Sequence, residues 1–205
     1  MNFKDYFTET IHRYGLGSLT IFDIDETLFH TTAKIRVLDK EGKPKELSNQ
    51  EFNTFNPDEG DNIDFSEFQD AEKFNKESKP IPQMVNKMIG ILGNVSKNPL
   101  SKVIILTARS DFDNKEIFLD TFRKHGINID MVYVERAGNL PNNLSVAEKK
   151  NTIIRKYLDS KKFDVVRLYD DAISNIEAFK NLSSEYPNVD FYPYLVDKNG
   201  NPNRI

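Results

Sequence analysis

The 205-residue chain reads as an α/β protein: a three-layer, doubly wound, Rossmann-like parallel sheet of about five strands. Two observations predict this. The strongest apolar runs are nearly continuous, as in strands covered on both faces, whereas strands with one wet face alternate. Between the runs lie stretches whose apolar residues recur every three to four positions, as amphipathic helices require. A third observation bears on function. Three of the runs stop at clusters of Asp, Thr and Arg, and the carboxyl ends of such strands are where open α/β sheets bind ligands.

The first strand is LTIF at 19–22; VIIL at 103–106, MVYV at 131–134 and VVRLY at 165–169 follow. VDFYPYLV at 189–196 is a weaker fifth, because Pro193 has no N–H to give and suits only an edge. Met84, Met88, Ile91 and Leu92 share one helical face; Ile117, Phe118, Thr121 and Phe122 share another, with Gly126 as the stop. Ile153, Ile154, Tyr157 and Leu158 repeat the pattern, and ISNIEAF supplies a helix after the fourth run. Residues 33–80 break the alternation. IRVLDKEGKPKELS reads as a hairpin around Gly42, and NQEFNTFNPDEGDNIDFSEFQDAEKF is acidic, aromatic and rich in turn residues. The expected organisation is one domain over 1–205, with 33–80 as a flap or small cap inserted after the first strand.

Hydrophobic residues make up 38% of the chain, enough for one substantial core. With 28 Lys+Arg against 32 Asp+Glu and a net charge of −4, no global positive field draws the protein to nucleic acid or acidic lipid. Cys is absent, which excludes a disulfide scaffold, a cysteine nucleophile and thiolate metal ligation, and fits a reducing compartment. MNFKDYFTETIHRYGLG lacks the continuous apolar core of a secretory signal, and no run of about 18 apolar residues offers a membrane span. The expected location is the cytoplasm, with no membrane partner. Nothing in the sequence fixes an oligomeric state.

The stretch SLTIFDIDETLFHTT, 18–32, poses the chemical question, because Asp23 and Asp25 stand two apart where residues share a side of a strand. Thr107-Ala108-Arg109 follows VIIL, and Asp170-Asp171 follows VVRLY. All three clusters converge at one end of a parallel sheet. Four aspartates there repel one another by about 3 kcal/mol per pair at about 5 Å and an effective dielectric near 20, a penalty that a dication removes. The set is all oxygen, without Cys or His, and suits Mg²⁺. It provides a carboxylate nucleophile, a neighbouring carboxyl for proton transfer, and a hydroxyl and cations for phosphate oxygens. Phosphoryl transfer needs this kind of positioning and charge neutralisation.

These clusters resemble the haloacid dehalogenase (HAD) superfamily of aspartate-nucleophile phosphohydrolases, including small HAD-type proteins of bacteriophages. The DxDxT motif is similar to Asp23-Ile24-Asp25-Glu26-Thr27, the strand-ending Thr or Ser to Thr107 in VIILTARSD, the helix-opening Lys to one in SVAEKKNTIIRKYL, and the acidic pair to Asp170-Asp171. The resemblance spans about 19 to 180, and its weight lies in the order of four motifs. It implies that Asp23 attacks phosphorus to form an aspartyl-phosphate, and that Asp25 protonates the leaving group and later activates water. It also implies that Thr107 and the lysine bind phosphoryl oxygens, and that Thr27 hydrogen-bonds within its loop. Mg²⁺ is then held by Asp23, the backbone carbonyl of Asp25, Asp171 directly, and Asp170 directly or through water. Lys150 fits the lysine better than Lys149, since it shares a helical face with Ile153, Ile154 and Tyr157. Asn175 stands where many members carry a further acid; it can orient an Asp or a water but adds no charge.

Simpler readings exist for each feature. Thr107 alone is a common cap, and Asp170-Asp171 alone a common helix start. Arg109 is either an anchor for a second anionic group of the substrate or the surface partner of Asp111 or Asp113. His30 reads as a satisfied loop histidine. Phe52, Phe55, Phe65, Phe68 and Phe74 form either a base-stacking surface or the apolar anchor of the insert. The expected function is hydrolysis of phosphate monoesters at an open site suited to nucleotides, polynucleotide ends, phosphoproteins or other bulky phosphates. Phosphotransfer to another acceptor, and a catalytically silent binding module, are the rivals.

Overall fold

The computed structural model describes residues 16–52, 54–141 and 143–205. The expectation about a signal sequence concerns the N-terminal segment, which lies almost wholly outside these residues. The chain forms a six-stranded sheet in the order β11-β10-β9-β1-β7-β8. Its members are β1 (Gly17–Phe22), β7 (Lys102–Thr107), β8 (Tyr133–Arg136), β9 (Phe163–Asp170), β10 (Asp190–Val196) and β11 (Pro202–Arg204). All neighbouring pairs are parallel except β10 with β11. From β1 the chain first builds outward through β7 and β8, then returns to the other side of β1 with β9 and β10. That reversal puts the topological switch point between β1 and β9.

Helices cover both faces, which is why the central strands read as unbroken apolar runs. Phe22, Val103, Ile105 and Tyr169 pack with buried residues of α3 (Pro82–Val95) and α4 (Lys115–Arg123). Alternate residues Leu19, Ile21, Ile104, Leu106, Val166 and Leu168 pack with α5 (Val146–Leu158) and α6 (Ile173–Asn181). Among the described residues no helix is long and apolar enough to cross a membrane.

Three sequence expectations need correction. The third run shifts: Ile129–Met131 forms a 3₁₀ turn, and the strand is Tyr133–Arg136, an edge whose residues are exposed or half-buried. A sixth strand, β11, is too short and polar to show a hydrophobic period. It makes β10 an interior strand in spite of Pro193. The proline is accommodated because its carbonyl, and hence the side where its N–H is missing, faces the frayed end of β11, whose ladder begins at Tyr194.

The excursion between β1 and α3 leaves and re-enters through one narrow ribbon, β2 (Phe29–His30) paired antiparallel with β6 (Lys79–Pro80). Beyond it stands a second sheet, β4 (Pro44–Leu47), β3 (Ile35–Leu38) and β5 (Asn62–Asp64), with β3 in the middle. The β3–β4 hairpin turns at Gly42, whose φ of +79° a side chain would strain, and Asp39 accepts the Glu41 and Lys43 N–H groups across it. After one helical turn α1 (Asn49–Phe52) and β5 comes α2 (Ala71–Glu77), capped by Asp70, which accepts the Lys73 N–H. Ile35, Val37, Leu47 and Phe68 close a small separate core against Phe52 and Phe55.

Candidate active site

Each site residue sits at, or within three residues beyond, the carboxyl end of a parallel strand, or early in a helix. Asp23 follows β1, and its N–H bonds the Tyr169 carbonyl of β9, so the two strand ends are laced together at the switch point. Thr107 closes β7 and Asp170 closes β9. Lys150 lies in the second turn of α5, whose start is fixed by a capping box: Ser145 accepts the Glu148 N–H, and the Glu148 carboxylate accepts the Ser145 N–H.

Lys150 is 2% exposed, and its Nζ lies 2.7 Å from Asp170 Oδ2 and 2.9 Å from Asp23 Oδ1. Only the first contact is aligned as a hydrogen bond; Asp23 Oδ1 receives charge without an aligned donor. The other oxygen of Asp170 accepts from Asn175 Nδ2 at 2.9 Å and from the Ala172 N–H at 3.0 Å. Protein donors thus fill three of the four acceptor positions of Asp170 and leave one on Oδ2. It serves as the helix-start acceptor that its sequence position suggests, and Asn175 orients it. Asp171 faces the same space, and one oxygen from each of Asp23, Asp170 and Asp171 lies within 4.8 Å of the others.

Asp25 is held differently. Both its oxygens are gripped by Arg109, Nη2 to Oδ1 at 2.7 Å and Nε to Oδ2 at 2.9 Å, and the Thr31 hydroxyl donates to Oδ1 at 2.7 Å. The third nitrogen, Nη1, donates to the Phe68 carbonyl at 2.9 Å. Arg109 is 3% exposed, with the rings of Phe68, Phe74 and Phe112 around its guanidinium. It is therefore neither a surface partner of Asp111 or Asp113 nor a cation left free for a substrate anion. Its loop is held by Thr107, whose hydroxyl accepts the Arg109 N–H at 3.1 Å.

The electrostatics follow from these partners. Burial drives the Asp23 carboxyl up; Lys150 opposes this, while Asp170 and Asp25 add to it, and the outcome is about 7. Burial, then Asp170 and Asp23, push Asp171 to about 9. Burial disfavours the charged form of Lys150, but Asp170 and Asp23 outweigh it and raise its pKa. Burial also opposes ionisation of Asp25, yet the Arg109 charge and fork and the Thr31 hydroxyl hold it below the usual carboxylate range. When all four carboxyls are ionised they face two cations, Lys150 and Arg109, and two negative charges lack a partner among the described residues. The deficit matches one dication; besides one position on Asp170 Oδ2, the oxygens that protein donors leave open belong to Asp23 and Asp171. Both are hard oxygen donors of the kind Mg²⁺ takes.

Thr27 is fully buried, and its hydroxyl has no partner among the described residues, so the expected hydrogen bond within the loop is not made; its backbone N–H bonds Ile24 instead. Glu26 adopts φ +56°, and its carboxylate accepts from the Thr31 N–H and pairs with His30 Nδ1 at 2.7 Å, which accounts for the histidine. Phe68 and Phe74 are buried, and Phe52 and Phe55 are partly so; Phe65 alone of the five is exposed, set edge-on against Phe52. They anchor the insert and form no continuous stacking surface. Neither Thr31 nor the Phe68 carbonyl has a sequence signal: one is an ordinary threonine six residues past Asp25, the other a backbone atom. The chain matches no protein family and no curated protein.

Proposed function

We propose that the chain is a Mg²⁺-dependent phosphate monoester hydrolase of the HAD type, working through an aspartyl-phosphate on Asp23. The observation that carries this reading is Lys150, buried between Asp23 and Asp170 at the carboxyl ends of β1 and β9, beside an acidic cluster two positive charges short of balance. Asp25, ionised at rest, takes the proton that a phosphate monoanion carries; Asp23 attacks phosphorus, and the P–O bond to the alcohol breaks as Asp25 passes that proton to the leaving oxygen. Asp25 then takes a proton from the water that attacks the phosphorylated Asp23, releasing phosphate and restoring both carboxyls. Lys150 and the hydrogen of the Thr107 hydroxyl donate to phosphoryl oxygens as charge builds on them. Asp23 and Asp171 would hold the Mg²⁺, which supplies charge neutralisation for phosphate and for the acids around it. Substrate reaches Asp23 past Asp171, the least buried of the four aspartates. Nucleotides, nucleic-acid ends and phosphoproteins are the monoester classes to assay.

The test is turnover of an aryl phosphate with Mg²⁺. Wild type is expected to hydrolyse it, EDTA to stop it reversibly, and Asp23→Asn to lower kcat by about 10³-fold or more, the loss of a nucleophile. Equal activity in wild type and Asp23→Asn, or activity indifferent to EDTA, contradicts the reading.

A further inference from the structure

In the proposed reaction Asp25 delivers a proton and later takes one back, which it can do only from an acceptor position that nothing else occupies. A carboxylate has about four such positions, two on each oxygen. On Oδ1 both are filled, by Arg109 Nη2 and the Thr31 hydroxyl; on Oδ2 Arg109 Nε fills one. One position remains, on Oδ2. We propose that Arg109 is a positioning residue for this chemistry: with Thr31 it selects Oδ2 as the atom of Asp25 that exchanges the proton, and the insert holds Arg109 in register through the Phe68 carbonyl. The inference rests on the phosphatase reading above.

The surroundings of Arg109 favour positioning over substrate binding. All three guanidinium nitrogens are engaged, two on Asp25 and one on the insert, and ring centroids of Phe68, Phe74 and Phe112 lie 4.6, 5.0 and 5.4 Å from its carbon. The contact with Phe68 belongs to a seam. The Asp113 N–H bonds the Gln69 carbonyl, and the Asp113 carboxylate accepts the Ala71 N–H, both at 2.9 Å. Segments 68–71 and 109–113 are therefore stitched together, and the end of the insert helps to set the orientation of the proton-transferring group. A lysine reaches one point and cannot reproduce a fork that occupies both oxygens.

The experiment compares two phosphate esters in single-turnover assays of the full chain with Mg²⁺, reading release of the alcohol as Asp23 is phosphorylated. Nitrophenolate departs without protonation; a simple alkoxide does not. Arg109→Ala is expected to slow release of the alkyl alcohol by about 100-fold or more, the usual scale of general-acid catalysis, and release of nitrophenol by no more than about tenfold. Arg109→Lys should follow Arg109→Ala, Thr31→Val and Asp113→Ala should show smaller losses of the same selectivity, and added guanidinium should partly restore the alkyl reaction of Arg109→Ala. Equal losses on both esters, or a raised KM with unchanged rates, overturn the proposal in favour of a structural or substrate-binding Arg109. A wild-type protein that releases neither alcohol overturns the phosphatase reading and this inference with it; an active wild type with parallel losses overturns this inference alone.

Discussion

Asp170 and Asp171 are adjacent in sequence and opposite in circumstance. Asp170 is fully buried and satisfied by Lys150, Asn175 and the Ala172 N–H, whereas Asp171 meets mainly like charge. Asp170→Asn withdraws the aligned partner of a buried lysine and is expected to destabilise the protein by about 3–5 kcal/mol, as broken buried pairs do. Asp171→Asn relieves repulsion. Without metal it should be more stable than wild type by at least about 1 kcal/mol, since each pKa unit of frustration is about 1.4 kcal/mol. Its melting temperature should then fail to rise with Mg²⁺, and its Mg²⁺ requirement for turnover should increase at least about tenfold. Thermal melts of both variants with EDTA and with Mg²⁺ decide between these roles. A metal response retained by Asp171→Asn and lost by Asp170→Asn would reverse the assignment.

At the scale of elements, the loop after β7 is set by the turn after β8. Gly138 donates its N–H to the Arg109 carbonyl, and a Cβ there would lie 2.5 Å from the Ala108 carbonyl oxygen and from the Ser110 nitrogen. Both obstacles are backbone, so the loop itself would have to move. Gly138→Ala is expected to cost about 1–3 kcal/mol, the usual range for overpacking, and to lower kcat at least about tenfold by displacing Thr107 and Arg109; denaturant titration and kinetics check the two halves. Much at this scale was legible in the sequence. Continuous apolar runs located β1, β7 and β9, since burial on both faces leaves no alternative composition, and the face shared with Ile153 and Ile154 pointed Lys150 at the sheet. Polar groups following the runs located Asp23, Thr107 and Asp170. What escaped carries no local signal: β11 has no hydrophobic period, Thr31 no motif, and the fork between Arg109 and Asp25 joins residues 84 positions apart.

For the whole molecule, the buried acids tie folding to pH and, through the proposed Mg²⁺ site, to metal. An unfolded chain ionises these carboxyls near 3.8, while the metal-free native state keeps a proton on Asp23 to about 7 and on Asp171 to about 9. Native protein therefore binds more protons across that window, and these two groups make its stability fall as pH rises from about 4 to about 9. Mg²⁺ competes with the same protons, so its apparent affinity should climb over the window and level off above it. Melting temperatures with excess Mg²⁺ and with EDTA should accordingly diverge as pH goes from about 6 to about 9. A gap independent of pH would mean that metal does not bind at Asp23 and Asp171.

The ribbon of β2 and β6 has a consequence for how such a chain varies through descent. Its two strands lie side by side, so the hairpin of β3 and β4 can be lengthened, shortened or exchanged while the main sheet sees the same two ends arrive at the same distance. What a remodelled chain must carry over is the Thr31 hydroxyl, the Phe68 carbonyl aimed at Arg109, and the packing of Ala71 and Phe74 into the main core.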